Sequence, residues 1–259
     1  FAKCPDGRQY AIVTDPGSVL EALGRERGAR RIFLNPSDIG GRYSALSLFG
    51  LVPAALAGVD LDRMLDGALA MAEACRGPLP ENPGAWLGAV MGEAALAGRD
   101  KLTLVLPPGL RSLGFWIEQL VAESTGKEGK GIVLIEGEDL GAPAVYGNDR
   151  LFVALGDHVG LAPLEAAGQP IILLPYEGPW QLGAEFFRWE FATAIASAVM
   201  GIQPFDQPNV QEAKDASPFN DRKRYQVDKV TEALRGSSFQ SHDRGHSFVT
   251  GKANCSQKL

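Results

Sequence analysis

Six short apolar runs, each four or five residues long, punctuate this chain at 10–14, 31–34, 102–106, 132–135, 151–155 and 171–174. Helix-like stretches separate most of them: 19–28, a small-residue run ending at Ala57, 61–76, 85–97, 110–124 and 181–200. Short apolar runs bounded by turn residues read as buried strands, and their alternation with helices is the rhythm of βαβ units in a parallel sheet. The pattern therefore predicts an α/β fold and leaves the strand order open. Asp15-Pro-Gly-Ser18 supplies the turn and cap before the first helix. The proline-rich stretch Gly77-Pro-Leu-Pro-Glu-Asn-Pro-Gly84 is the clearest boundary and predicts a domain junction.

Length and charge narrow the class. A chain of 259 residues, 45% hydrophobic, can bury a sizeable core. A net charge of −6 gives no basic footprint for nucleic acid, although a local cationic pocket for a phosphorylated metabolite is compatible with it. Cys4, Cys75 and Cys255 are odd in number and widely spaced, which predicts neither a disulfide framework nor a zinc site and suits a reducing cytoplasm. The apolar runs at 171–174 and 192–200 fall well short of the roughly 20 residues that cross a bilayer. The opening residues lack the basic-then-apolar order of a secretory signal. The first residue is Phe1 rather than methionine, so a fragment or processed product of something longer is expected.

Chemistry concentrates in residues 119–131. If 115–124 is helical, Gln119 and Glu123 lie about one turn apart at roughly 3.6 residues per turn, so an amide and a carboxylate share one face. Gly126, Gly129 and Gly131 follow, interleaved with Lys127 and Lys130, and glycine permits close backbone approach or positive φ beside a pocket. Earlier, the pair Gly40-Gly41 stands directly before Arg42 and delivers one cation from a turn; later, Asp206, Gln207 and Lys214 gather after a proline-broken segment. Each feature has a plain structural alternative. Residues 119–131 can be an amphipathic helix with a glycine stop and solvated lysines. Arg42 can pair with Asp38, Gln207 can cap a turn, and Lys214 can be a solvated helix residue. The aromatic helix at 181–200 is expected to be buried or packed against a partner chain. Beyond Lys214 the composition changes: a possible helix runs through Leu234, and the polar, irregular 236–259 predicts a flexible tail.

Three stretches stand in order: Ile39-Gly-Gly-Arg-Tyr-Ser44, Gln119-Leu-Val-Ala-Glu-Ser-Thr-Gly-Lys127, and the run from Phe205 through Gln207 to Lys214. Together they resemble the glucose-6-phosphate isomerase family. The wording around Val13-Thr-Asp-Pro-Gly17 and Pro175-Tyr-Glu-Gly-Pro-Trp180 is most similar to the isomerase part of bacterial transaldolase fusions. The resemblance implies a three-layer α-β-α sandwich with a mainly parallel sheet of the sugar-isomerase type. Residues 1–76 would end a first such domain, 84–202 would form a second, 203–235 would be an active-site segment and helix, and 236–259 a tail.

It also implies a reversible conversion of glucose 6-phosphate and fructose 6-phosphate through a cis-enediol(ate), with no metal or organic cofactor. By position Glu123 is the base, and a closed, glycine-lined pocket would suit its proton transfer. Arg42 steadies the enediolate, Gln119 and Gln207 hold the sugar phosphate, and Lys214 meets the ring oxygen. Gly41 and Ser124 fall beside them as substrate contacts. The family's ring-opening histidine is absent near Leu140-Gly-Ala-Pro143, which leaves His158 as the nearest substitute, while His242 and His246 are bystanders. The third stretch carries Asn209 and Gln211 where the family has glycine and glutamate, and the serine/threonine-rich phosphate loop that precedes the arginine motif is not in the chain. A cytoplasmic homodimer with shared sites is expected, with the helix at 181–200 as a candidate surface. The alternative readings are a sugar-phosphate-binding module without turnover, and a structural fragment whose site forms only with another polypeptide.

Overall fold

The structure, a computed structural model, describes residues 6–206. The helix expected near Asn209, the tail, Gln207 and Lys214 lie outside the described residues. In chain order the elements are β1 (Ala11–Thr14), α1 (Val19–Glu26), β2 (Arg31–Leu34), α2 (Leu48–Leu56), α3 (Leu61–Ala74) and α4 (Pro83–Leu96). They continue with β3 (Lys101–Val105), α5 (Arg111–Thr125), β4 (Val133–Glu136), β5 (Arg150–Leu155), α6 (Ala162–Ala166), β6 (Ile171–Leu174) and α7 (Leu182–Met200). All ladders are parallel: β1 pairs with β2 in one sheet, and a second sheet runs in the order β4-β3-β5-β6.

The chain steps from β3 to β4 in one direction and from β5 to β6 in the other. Because such crossovers are right-handed, the two connecting helices fall on opposite faces of the sheet. The core divides accordingly. Leu102, Leu104, Leu151 and Val153 face α4, α5 and α7, whereas Val105, Phe152 and Ala154 face Tyr146, Leu161 and Leu164 on the α6 side. This period-two split makes three layers, with strands apolar on both faces as buried parallel strands must be.

Small residues set how closely the helices approach. Gly84, Gly88 and Gly92 recur every fourth position on α4, and a Cβ built at Gly88 would sit 2.3 Å from the Ala192 carbonyl oxygen of α7. Without side chains there, α4 lies directly on α7. Helix α7 also packs against α3 and α5, and Trp189, Ala192 and Ala196 are wholly buried. The burial expected of this aromatic helix is met on those sides within the chain, while Phe187 and Phe191 stay partly exposed and Ala198 is exposed.

Local caps explain the boundaries. Ser18, Asp60 and Asn82 accept the N–H of Glu21, Arg63 and Ala85, as N-cap oxygens do. Asn82 also donates its amide to the carbonyls of Cys75 and Gly77, so the proline-rich 77–84 stretch is braced to the end of α3.

Candidate functional site

Arg42 sits in a 3-10 turn, Gly41–Tyr43, entered through the extended Gly40. Its side chain is only 4% exposed, yet it touches both later stretches. Nη1 donates to Ser124 Oγ at 2.6 Å, Nη2 donates to the Asp206 carbonyl at 3.1 Å, and Nε lies 3.6 Å from Glu123 Oε2. That last separation exceeds a hydrogen bond, and Nε has no other acceptor among the described residues. The arginine therefore faces the carboxylate without being spent on it. The plain alternative, a pair with Asp38, is not what the turn makes.

Glu123 lies in the last two turns of α5. Gln119 and Glu123 share one face as their spacing requires: Gln119 Nε2 donates to Glu123 Oε1 at 3.1 Å across one helical turn. Glu123 is 51% exposed, however, so the closed pocket expected around it is not formed by the described residues. Of the expected glycines, Gly129 turns with positive φ. Gly126 keeps φ at −72°, and the reversal after the helix is made by Glu128 at +56° and Gly129 at +74°, closing a small bridge between Lys127 and Lys130. Thr125 secures the turn by donating to the Val121 carbonyl and accepting the Ile132 N–H.

Ser124 is wholly buried. Its hydroxyl accepts from Arg42 and, at 3.3 Å, from the Tyr43 hydroxyl, so it braces the arginine instead of facing a ligand. Burial pushes the Tyr43 phenol up, and its ring meets Phe205 at 5.0 Å. Gly41 is exposed, and no atom lies within 4 Å of where its Cβ would be, so its backbone is open to close approach. Beside the turn, Gly41, Ser44, Phe49, Leu110, Trp116 and Phe186 line a mostly apolar cavity of about 440 Å³.

His158, the one histidine among the described residues, is not brought to this cluster. It follows the carboxyl end of β5, where its Nδ1 accepts the Gly160 N–H. Helix α5 starts at that end of the sheet, with Gly114 beside Glu136, and finishes at the opposite end, where Thr125 meets Ile132. His158 and Glu123 thus belong to opposite ends of the sheet. The substitute ring-opening role given to His158 is corrected on that ground.

Two participants were not assigned roles from the sequence. Lys127, solvated in the plain alternative reading, has a side chain only 9% exposed and donates to Gln203 O, to Asp206 O at 2.8 Å and to Asp206 Oδ1 at 2.5 Å. Its place four residues after Glu123 in the same stretch was the available signal. Glu190 of α7 is mostly buried, and burial raises its carboxyl to about 7 against an opposing bond from the Ala45 N–H. No group of three or more potential metal ligands occurs among the described residues, and no helix among them is long and apolar enough to cross a membrane.

No family model matches the chain. It is 31% identical to the glucose-6-phosphate isomerase of Symbiobacterium thermophilum over 80% of its own length and 56% of that protein. It is 30% identical to the glucose-6-phosphate isomerase of Heliobacterium modesticaldum with the same coverage. The fold is similar to the crystal structure of a glucose-6-phosphate isomerase from Chlamydia trachomatis, with a TM-score of 0.66, 19% identity, and coverage of 88% of this chain and 55% of that one. It is equally similar, at 25% identity and a TM-score of 0.66, to a hypothetical protein from Thermus thermophilus, covering 84% of this chain and 63% of that one. The chain spans a little over half the length of the curated relatives it matches. By sequence over most of its residues the chain is similar to glucose-6-phosphate isomerases, and its three-layer α/β fold is similar to that of one of known structure.

Proposed function

We propose that this chain carries the aldose-ketose isomerase chemistry of glucose 6-phosphate and fructose 6-phosphate. Glu123 removes the proton from C2 of the open-chain aldose, a cis-enediol(ate) forms, and the proton returns at C1. Arg42 stabilises the oxygen charge that develops in between. A guanidinium stays protonated at any working pH, so it stabilises an anion without competing for the proton in transfer. Gln119 orients the base through Oε1, and the open backbone at Gly41 lets a ligand approach the arginine.

One observation carries this reading: a buried Arg42 guanidinium lies 3.6 Å from a carboxylate that is half open to solvent. A base must reach its substrate, whereas the charge that steadies the intermediate works best where water is excluded. Gln207 and Lys214, outside the described residues, complete the proposal as the amide and the ring-oxygen lysine. So do the division into a first sugar-isomerase unit at 1–76 and a second at 84–202, a cytoplasmic setting, a sugar phosphate substrate without metal or cofactor, and a homodimer.

A coupled assay converting fructose 6-phosphate to glucose 6-phosphate, run on this chain and on a form extended upstream, tests the proposal. Turnover that Glu123→Gln abolishes, in a protein with an unchanged circular dichroism spectrum, is the expected result. A second reading, sugar-phosphate binding without turnover, is favoured by one observation: the one described histidine is remote from Glu123. Binding of fructose 6-phosphate without turnover in either form would select it.

A further inference from the structure

The segment leaving α7 is held by two lysines from the single turn after α5. Lys130 Nζ donates to the Met200 carbonyl at 2.8 Å, where α7 ends in the left-handed Gly201. A lysine there satisfies an end carbonyl and opposes the negative end of the helix dipole. Lys127 holds the next residues. An ammonium has three protons, and Lys127 Nζ meets three oxygens, from Gln203 O, Asp206 O and Asp206 Oδ1. Capping α7 needs only Lys130, so Lys127 requires a separate account.

That account lies in the acceptor it shares. The Asp206 carbonyl takes a proton from Lys127 Nζ at 2.8 Å and one from Arg42 Nη2 at 3.1 Å. Two cations are thus drawn onto one oxygen, and the Asp206 carboxylate offsets their repulsion by pairing with the lysine. Among the described residues Arg42 has two side-chain hydrogen bonds, to Ser124 and to this carbonyl, and together they aim its Nε, without a hydrogen-bond partner among them, at Glu123. With the carbonyl removed, the guanidinium pivots on Ser124 alone.

We propose that Lys127 is a positioning residue for Arg42, acting through the Asp206 carbonyl that both cations hold. It rests on the reading of Arg42 and Glu123 as the reacting pair. Lys127 itself touches no substrate. It fixes the angle at which the arginine meets the enediolate and the point from which the chain departs toward Gln207.

The test compares Lys127→Met, Lys127→Arg and Lys130→Met in the full chain and in the upstream-extended form. Two readouts need no turnover: amide hydrogen exchange across 203–206, and solvent exchange of the Arg42 Nε proton followed by NMR. Lys127→Met is expected to speed both. Lys130→Met is expected to leave the Arg42 proton unchanged, and Lys127→Arg to recover part of the loss. In the active form, Lys127→Met is expected to lower kcat on the order of 10²-fold with a smaller change in KM, as a misaligned catalytic group does. Unchanged exchange of the Arg42 proton in Lys127→Met overturns the proposal. So does accelerated exchange with undiminished kcat, which would reduce Lys127 to a purely structural clasp. If the unsubstituted protein shows no turnover, the isomerase reading fails, and the Arg42 proton alone decides whether Lys127 positions the arginine.

Discussion

Arg42 Nε stands 3.6 Å from Glu123 Oε2, with the arginine buried and the glutamate half exposed. The pair joins the turn that follows β2 to the last turns of α5. Burial is asymmetric because Arg42 has protein acceptors on two sides, Ser124 and Asp206, whereas among the described residues the one hydrogen bond to Glu123's side chain comes from Gln119 along its own helix. A fixed cation beside an accessible carboxylate is what proton transfer through an oxyanion requires.

Replacing Glu123 with glutamine keeps the shape and the Gln119 neighbour but removes the base. The expected loss in kcat is on the order of 10² to 10⁴-fold, with a folded protein by circular dichroism. Retained turnover would take Glu123 out of the base role.

Arg42→Lys keeps a charge but not the geometry. One ammonium on a shorter reach cannot serve Ser124, Asp206 and Glu123 in the directions a planar guanidinium does. We expect kcat to fall on the order of 10²-fold and stability to drop about 1–3 kcal/mol, because buried acceptors lose their donor. Steady-state kinetics and urea unfolding measure the two effects, and a lysine variant equal to the parent in both would contradict the assignment.

Glu190 makes a pH prediction. Its folded-state pKa, raised by burial to about 7, lies above the ordinary value of 4.5. The folded protein therefore holds this proton more tightly than the unfolded chain. The resulting stabilisation is fully present below about 4.5 and is lost as pH rises through about 7, amounting to about 3 kcal/mol at most. Glu190→Gln mimics the protonated acid at every pH. Urea unfolding from pH 4.5 to 8 should show the parent losing stability relative to this variant as pH rises, and parallel curves would contradict the shift. The buried Glu185 is raised in the same sense and is common to both proteins, so the difference isolates Glu190.

Two glycines predict opposite signs. At Gly88 an added methyl would meet the Ala192 carbonyl at 2.3 Å and Ile195 Cβ at 2.7 Å, so Gly88→Ala should destabilise by about 1–3 kcal/mol despite alanine's better helix propensity. At Gly67 of α3 the nearest atom is 3.4 Å away, and Gly67→Ala should be neutral or stabilising by up to about 1 kcal/mol. Urea unfolding of both variants checks the pair. Equal effects would mean that α4 does not depend on close approach to α7.

Much of this was legible in the chain. The runs at 31–34 and 171–174 match β2 and β6, because short apolar stretches between turn residues have few alternatives. Gln119 and Glu123 were readable as partners because helix geometry is local. What was not legible depends on what lies opposite. Neither the burial of Ser124 nor that of Lys127 can be seen in residues 119–131, because the covering groups, Arg42, Gln203 and Asp206, come from distant parts of the chain. His158 misled for the same reason: proximity in sequence to β5 does not reveal which end of the sheet it occupies. The aromatic content of α7 signalled burial, but the helices that supply it within the chain, α3, α4 and α5, could not be read from the run itself.

The central claim is proton transfer between C2 and C1 by Glu123 beside Arg42. Fructose 6-phosphate incubated in D₂O with the upstream-extended form, and watched by proton NMR, tests it most directly. Deuterium entering at C1 of fructose 6-phosphate and C2 of glucose 6-phosphate, and failing to enter with Glu123→Gln, is the predicted result. Deuterium exchange at the parent rate in Glu123→Gln, or no exchange in a parent protein that binds the sugar phosphate, would contradict it.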